Sequence, residues 1–358
     1  MKILFSGGGT LGPVTPLLAM CEHLEGEDMQ FIWVGTEKGI EEALVEQMQI
    51  PFFALPASKL RRYFSWQSFL DIFTFVEAFF KSFGLLRRER PDVCISAGGY
   101  VSVPLHLAAW ILRIPTWIHQ QDVLVGLANR IMSPFASLIT VTLEQSLKYF
   151  PHRKTRLLGN PVRPSILSGQ KDEARTVLGL QPNLPIILAT GGGTGSEKIN
   201  MLIAHVALEL DDICQIIHLT GTERKIQEPD RPLLHYHSWQ FLGDKMKDAY
   251  AASDIIVSRG GFGTLSEMAS LKKAAVVIPK SGHQEKNVQF CVQGQGIVAL
   301  DEDTLSAPLL SDLLRSLLQN SEQRQQLGNN LHTLIPSASK EALLDCLLSL
   351  QKKHSVLK

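Results

Sequence analysis

Twice in this chain an apolar run ends in a cluster of glycines. Ile3-Leu4-Phe5-Ser6 leads into Gly7-Gly8-Gly9-Thr10, and Ile186-Ile187-Leu188-Ala189-Thr190 leads into Gly191-Gly192-Gly193-Thr194-Gly195. A strand that enters a glycine turn and opens a helix is the repeating step of a parallel, doubly wound sheet. After the first turn, helical periodicity such as Pro16 to Leu24 alternates with short apolar runs at Phe31–Gly35, Val93–Ser96, Thr116–His119 and Leu138–Val141. After the second, the pattern restarts with Ile213–Leu219, Ile255–Ser258 and Ala275–Ile278. The expectation is two α/β units, residues 1–163 and 164–339. The closing stretch 340–358, helical from Lys340 to Lys353, is expected to pack back on the first unit.

A length of 358 residues is enough for two buried cores. Lysine plus arginine number 35 and aspartate plus glutamate 35, so bulk charge gives no reason to expect nucleic acid as a partner. The five cysteines are scattered without a Cys-x-x-Cys pair, which argues against a zinc site and suits a reducing compartment. Neither a signal peptide nor a run of about 18 uncharged apolar residues stands out. A cytoplasmic protein is expected, peripheral to a membrane at most.

Glycine-rich turns at helix N-termini gather backbone N–H groups at the positive end of the helix dipole, which suits an anion. Neither turn has P-loop spacing, and no acidic residue closes a clear ribose site after the first strand pair. Each turn alone also reads as a tight strand-to-helix connection. A third cluster, Ser258-Arg259-Gly260-Gly261-Phe262-Gly263-Thr264-Leu265-Ser266-Glu267, again follows a strand. Its Glu267 either accepts ribose hydroxyls or merely offsets a dipole, worth about 0.3–1 kcal/mol. His283-Gln284-Glu285-Lys286-Asn287 supplies polar groups suited to a sugar.

These motifs resemble the MurG family. The resemblance rests on Gly8 to Pro16, Gly98-Gly99-Tyr100-Val101-Ser102, His119-Gln120-Gln121-Asp122 and Gly159-Asn160-Pro161-Val162-Arg163 in the first half. In the second it rests on Gly191 to Ser196 with Asn200, on Arg259 to Glu267, and on Gln284 with Asn287. It implies a GT-B fold, two Rossmann-like domains facing across a cleft. It also implies inverting transfer of N-acetylglucosamine from UDP-N-acetylglucosamine to undecaprenyl-pyrophosphoryl-N-acetylmuramyl pentapeptide, at the inner face of a bacterial cell membrane. Donor-binding residues implied are Arg163, Gly193, Thr194, Leu242, Phe262, Gly263, Thr264, Glu267, His283 and Gln284. Acceptor-binding residues implied are Thr10, Leu11, Gly12, Gly98, Gly99, Tyr100 and Asn129. No cofactor and no protein-bound metal are expected, since preorganised amides can meet the charge on leaving UDP.

Two departures bear on the chemistry. The family has glycine and histidine where this chain has Leu11 and Pro13, and it reads His-Glu-Gln-Asn where this chain has His119-Gln120-Gln121-Asp122. Proline neither accepts nor donates a proton, so the candidate bases are Asp122 and His119. Asp122 alternatively caps a helix starting near Leu124, and His119 alternatively is a structural histidine. The departures leave two further readings open: a related transferase with another lipid-linked acceptor, and a non-catalytic nucleotide-sugar-binding homologue.

The stretch Lys59 to Arg90 is rich in aromatics bracketed by Lys59, Arg61, Arg62, Lys81, Arg87, Arg88 and Arg90. Phe69, Phe73, Val76, Phe80 and Phe83 recur at helical spacing and are expected to face the core, with Phe75 and Phe79 off that stripe. The segment reads either as a core helix with a basic end or as a surface for anionic lipid.

Overall fold

A computed structural model describes residues 1–37, 39–57, 66–222 and 229–356, with side chains described except at 66–70 and 353–356. The chain divides into two compact units, Met1–Arg163 with Ser337–Lys358, and Pro164–Pro336.

In the first unit the elements run β1 (Lys2–Ser6), α1 (Thr15–Leu24), β2 (Gln30–Thr36), α2 (Glu41–Gln47), β3 (Phe52–Leu55), α3 (Trp66–Glu89), β4 (Val93–Ser96), α4 (Ser102–Ile111), β5 (Thr116–Gln120), α5 (Leu127–Met132), β6 (Leu138–Val141) and β7 (Thr155–Leu157). The strands form one parallel sheet in the order β3-β2-β1-β4-β5-β6-β7. The order reverses at β1, where doubly wound sheets open a crevice beyond the strand ends. Strands β4, β5 and β6 are buried along their whole length, as expected of strands covered on both faces.

The second unit begins with α6 (Pro164–Leu167) and α7 (Lys171–Val177). It continues through β8 (Ile186–Thr190), α8 (Glu197–Leu210), β9 (Gln215–Leu219), β10 (Tyr236–Trp239), α9 (Met246–Ala252), β11 (Ile255–Ser258), α10 (Phe262–Ser270), β12 (Ala274–Val277), α11 (His283–Gln293), β13 (Val298–Ala299), α12 (Ala307–Gln319) and α13 (Ser321–Leu334). Its parallel sheet has the order β10-β9-β8-β11-β12-β13, reversing at β8. The chain then returns to the first unit as α14 (Lys340–Val356). There Leu343, Cys346, Leu347 and Leu350 join the core built on Phe5, Leu17, Trp33 and Trp117. Arg156 to Asp345 (3.1 Å) and Lys340 to Glu27 (2.8 Å) are exposed ion pairs at its margin.

Helix α3 corrects one expectation in part: Phe83 packs inward as expected, and the Phe69 side chain lies outside the described ones, but the rest of that stripe faces outward. Phe73 and Phe80 are about two-thirds exposed, and Ile72 and Val76 are exposed beside them. Phe75, Phe79 and Phe83, with buried Ala78, Leu85 and Leu86, are what packs inward. The helix is aromatic on both faces, so a 3.6-residue period fits either stripe. The small residues Ala78 and Ser82 set the orientation, because Ser82 donates to Ala78 O (2.7 Å) in the buried face and lets α4 approach. Lys59, Arg61 and Arg62 lie outside the described residues. Among the described helices none is long and apolar enough to cross a membrane.

Candidate functional site

The residues singled out from the sequence gather at the carboxyl ends of the strands in each unit. At the first glycine turn, much of the anion-binding capacity is already used. Gly7 N–H donates to Val34 O (3.1 Å), and Gly9 N–H lies 3.3 Å from both carboxylate oxygens of Glu41. Val14 and Thr15 N–H both donate to Leu11 O (3.0 Å each), and Pro13 and Pro16 have no N–H to offer. Glu41 is fully buried and also accepts from the amide and hydroxyl of Thr36 (2.7 and 2.6 Å). A carboxylate five residues after β2 is a detectable sequence signal, yet it points back under the turn rather than out to a ribose. Of the turn's amides, those of Thr10, Leu11 and Gly12 have no hydrogen-bond partner among the described residues. Gly9 (φ 81°) would place a Cβ 2.6 Å from the Tyr100 hydroxyl oxygen, so only glycine permits that approach.

Next to this turn, Gly98 and Gly99 adopt positive φ (100° and 84°) ahead of α4, and Tyr100 stands half-buried. Burial and then the Glu41 charge push the Tyr100 phenol above its ordinary range. Gln121 and Asn129 are buried and oriented by their amide nitrogens. Gln121 Nε2 donates to Gly12 O (2.6 Å), and Asn129 Nδ2 donates to His119 O (3.1 Å) and Gln120 Oε1 (2.7 Å). The carbonyl oxygens Gln121 Oε1 and Asn129 Oδ1 receive no hydrogen bond from the described residues. Such buried acceptors favour a ligand that brings O–H or N–H donors.

Of the two readings of His119, the geometry favours the structural histidine. It is completely buried on β5, its Nδ1 is 2.9 Å from Thr140 Oγ1, and its Nε2 is 3.1 Å from Asn160 Oδ1. Burial, only partly opposed by the Asn160 contact, brings its pKa down to about 4. Asp122 is half-buried beyond β5. It does not cap a helix: α5 starts at Leu127 with Gly126 as its N-cap. Arg163, half-buried, is the last residue of the first unit.

In the second unit the amides are more available. Gly192 N–H donates to Thr190 Oγ1 (3.1 Å) and Gly195 N–H to Gly192 O (3.0 Å), while Gly193 and Thr194 N–H have no partner among the described residues. Helix α10 has Gly261 as N-cap and no side-chain cap, so the first-turn amides of Phe262, Gly263 and Thr264 are likewise without a described partner. By contrast, α12 and α13 are capped by Ser306 and Asn320. Glu267 lies one turn inside α10, with one oxygen accepting from Tyr250 O–H (2.7 Å), a partner 17 residues upstream that no local pattern announces. Gln284 Oε1 accepts from Lys280 N–H (3.0 Å), and His283 is exposed at the start of α11. Gly260 faces Val288 and Gln284, where any Cβ would sit 2.5 Å from Val288 Cγ2. This seats the β11–α10 loop against α11. Leu242 is half-buried after β10, beside exposed Phe241. Among the described residues no group of three or more His, Cys, Asp or Glu is placed to hold a metal.

The Glycosyltransferase family 28 N-terminal domain matches residues 3–141, and the Glycosyltransferase family 28 C-terminal domain matches residues 186–342. A Clostridium perfringens protein is 31% identical over 353 residues, covering 95% of this chain and 98% of the relative. A Bacillus cereus protein is 34% identical over 327 residues, covering 90% and 92%. Both carry the name UDP-N-acetylglucosamine–N-acetylmuramyl-(pentapeptide) pyrophosphoryl-undecaprenol N-acetylglucosamine transferase, the Bacillus one with the suffix 2. Among solved structures, Acinetobacter baumannii MurG superposes with a TM-score of 0.73 at 23% identity, covering 97% of this chain and 99% of that one. A Neisseria meningitidis UDP-GlcNAc 2-epimerase bound to UDP-GlcNAc gives 0.69 at 15% identity, covering 98% and 100%. At these identities the two structures share the fold and nothing finer.

Proposed function

This chain belongs to the MurG family of glycosyltransferases, and from that premise we propose that it moves N-acetylglucosamine from UDP-N-acetylglucosamine to undecaprenyl-pyrophosphoryl-N-acetylmuramyl pentapeptide, a step of peptidoglycan synthesis. The observation that carries the donor half is the set of amides at Gly193, Thr194, Phe262, Gly263 and Thr264 that have no partner among the described residues, beside a Glu267 carboxylate held by Tyr250. Amides fixed at helix N-termini stabilise the pyrophosphate and the charge that grows on departing UDP. Glu267 takes the ribose hydroxyls. Leu242 lies against the uracil, Arg163 serves its edge, and His283 and Gln284 meet the sugar.

Acceptor binding falls to the first unit. The Thr10, Leu11 and Gly12 amides meet the acceptor pyrophosphate alongside Gly98, Gly99 and Tyr100. Asn129, joined by Gln121, turns a carbonyl oxygen to the hydroxyl and amide donors of the muramyl sugar. Asp122 is the general base: His119 is locked in the core and position 13 is proline. Inversion follows when the acceptor hydroxyl, losing its proton to Asp122, attacks the anomeric carbon as the bond to UDP breaks.

The outward face of α3, with Ile72, Phe73, Val76 and Phe80 exposed, Arg87 beyond them and Lys81 paired to Glu77 (2.8 Å), supports a peripheral seat on the anionic inner face of the cell membrane.

The deciding experiment measures UDP release from UDP-N-acetylglucosamine with and without the lipid-linked muramyl pentapeptide. Acceptor-dependent release is expected. Release that ignores this acceptor but responds to another glycolipid would move the chain to the reading that Leu11 and Pro13 favour. UDP binding without any release would leave a non-catalytic homologue.

A further inference from the structure

Arg259 is the first residue after β11, inside the loop that opens α10. A cation there invites assignment as a phosphate ligand, but its hydrogen bonds point elsewhere. Nε and Nη2 donate to Ser196 Oγ (3.0 and 2.7 Å), Nη2 and Nη1 form a two-pronged pair with Glu302 (2.7 and 2.9 Å), and Nη1 also donates to Ile278 O (3.1 Å). A guanidinium carries five N–H bonds, and these contacts use them all, with Pro279 O a longer second acceptor for Nη1 (3.5 Å). The side chain is only 14% exposed.

The partners are distributed along the sheet. Ser196 is the N-cap of α8, where its hydroxyl oxygen also accepts from Ile199 N–H (3.4 Å), and it ends the second glycine turn after β8. Ile278 follows β12, and Glu302 lies in the loop after β13. Since the sheet order is β8-β11-β12-β13, one guanidinium ties the carboxyl ends of four adjacent strands.

We propose that Arg259 and Glu302 form a positioning clamp that fixes the amides of the Gly191–Ser196 turn relative to those opening α10, and that Arg259 does not itself bind the donor phosphates. Arg259 acts through Ser196 and through its own loop, while Glu302 neutralises its charge and sets its plane. The clamp rests on the donor-site reading above. It assigns a role to Glu302, a residue outside every glycine motif.

The test compares wild type with Glu302→Gln, Arg259→Lys and the double variant, using UDP titration calorimetry and steady-state transfer rates. Thermal midpoints identify any variant that has lost its fold. Glu302→Gln keeps size and removes the charge. The expected result is a fall in kcat on the order of 10- to 100-fold, with weaker UDP binding. KM for UDP-N-acetylglucosamine should move least, because misplaced amides matter most where charge on UDP is greatest. The double variant should be no worse than the poorer single one, since each breaks the same unit. Ser196→Ala, which removes one arm and leaves the ion pair, should show a smaller fall of the same kind. A phosphate-binding Arg259 predicts the reverse for Glu302→Gln, a freed guanidinium with UDP affinity unchanged or higher, and that result overturns the clamp. Fully additive losses in the double variant also overturn it. Wild type that binds no UDP would instead remove the donor-site reading.

Discussion

Glu267 and Asp122 are the two carboxylates on which the proposed chemistry turns, and their surroundings suit them to different tasks. Tyr250 holds one oxygen of Glu267 at 2.7 Å, which sets the carboxylate before any ribose arrives. Tyr250→Phe should therefore raise KM for UDP-N-acetylglucosamine about 3- to 10-fold with little change in kcat, the cost of one neutral-to-charged hydrogen bond. Asp122→Asn preserves shape and removes basicity. It should lower kcat about 100-fold or more while calorimetry shows UDP binding intact. Turnover at the wild-type rate would dismiss Asp122 as base. The residues legible from sequence were those in glycine motifs, because backbone conformation demands glycine at φ 81° or 100° regardless of the rest of the fold. Tyr250 and Glu302 were not legible, since each acts through a partner 17 or 43 residues distant, and Glu41, visible five residues after β2, gave no sign that it turns back to the Gly9 amide. His119 stayed between two readings for the same reason. Its motif is visible, but its enclosure by Thr140 and Asn160 depends on β6 and on the segment after β7.

Among the elements, α3 shows where periodicity stops being informative. Two aromatic stripes share one 24-residue helix, and only packing against α4 distinguishes them. Replacing Phe73 and Phe80 together by serine removes exposed aromatic surface. Cosedimentation with vesicles containing phosphatidylglycerol should fall several-fold, with the thermal midpoint unchanged. Phe79→Ala, on the packed stripe, should instead cost about 2–4 kcal/mol in denaturant unfolding and leave vesicle affinity alone. Equal effects of the two variants on both measurements would contradict the assignment of faces. The alternation of strands with helices was readable because parallel sheets covered on both faces need continuous apolar strands, whereas the strand order comes from pairings that leave no mark on a single strand. The α1 turn was readable only in outline. Its glycines announce an anion site, whereas Leu11 O and Glu41 claim several of its donors.

Across the whole molecule, each unit keeps a histidine on a strand inside its core, His119 in the first and His218 in the second, both brought down to about 4 chiefly by burial. The unfolded chain binds a proton at each near pH 6.5. The folded chain resists that proton until about pH 4, so the stabilisation is complete above 6.5 and is lost as pH falls through 4. Calorimetry should show the thermal midpoint dropping steadily from pH 6.5 to 4, each histidine accounting for roughly 1–3 kcal/mol. A flat profile over that interval would refute the neutral buried state. The return of α14 to the first unit has a separate consequence, one of timing. Leu343, Cys346, Leu347 and Leu350 complete the core around Trp33, but they are translated only after the entire second unit. At about 5–20 residues per second, a ribosome keeps the first sheet waiting on the order of ten seconds or more with one flank of its core open. During that interval the nascent chain shows apolar surface that the finished enzyme never displays, and a chaperone that shields it has a defined moment to leave: when Leu350 clears the exit tunnel.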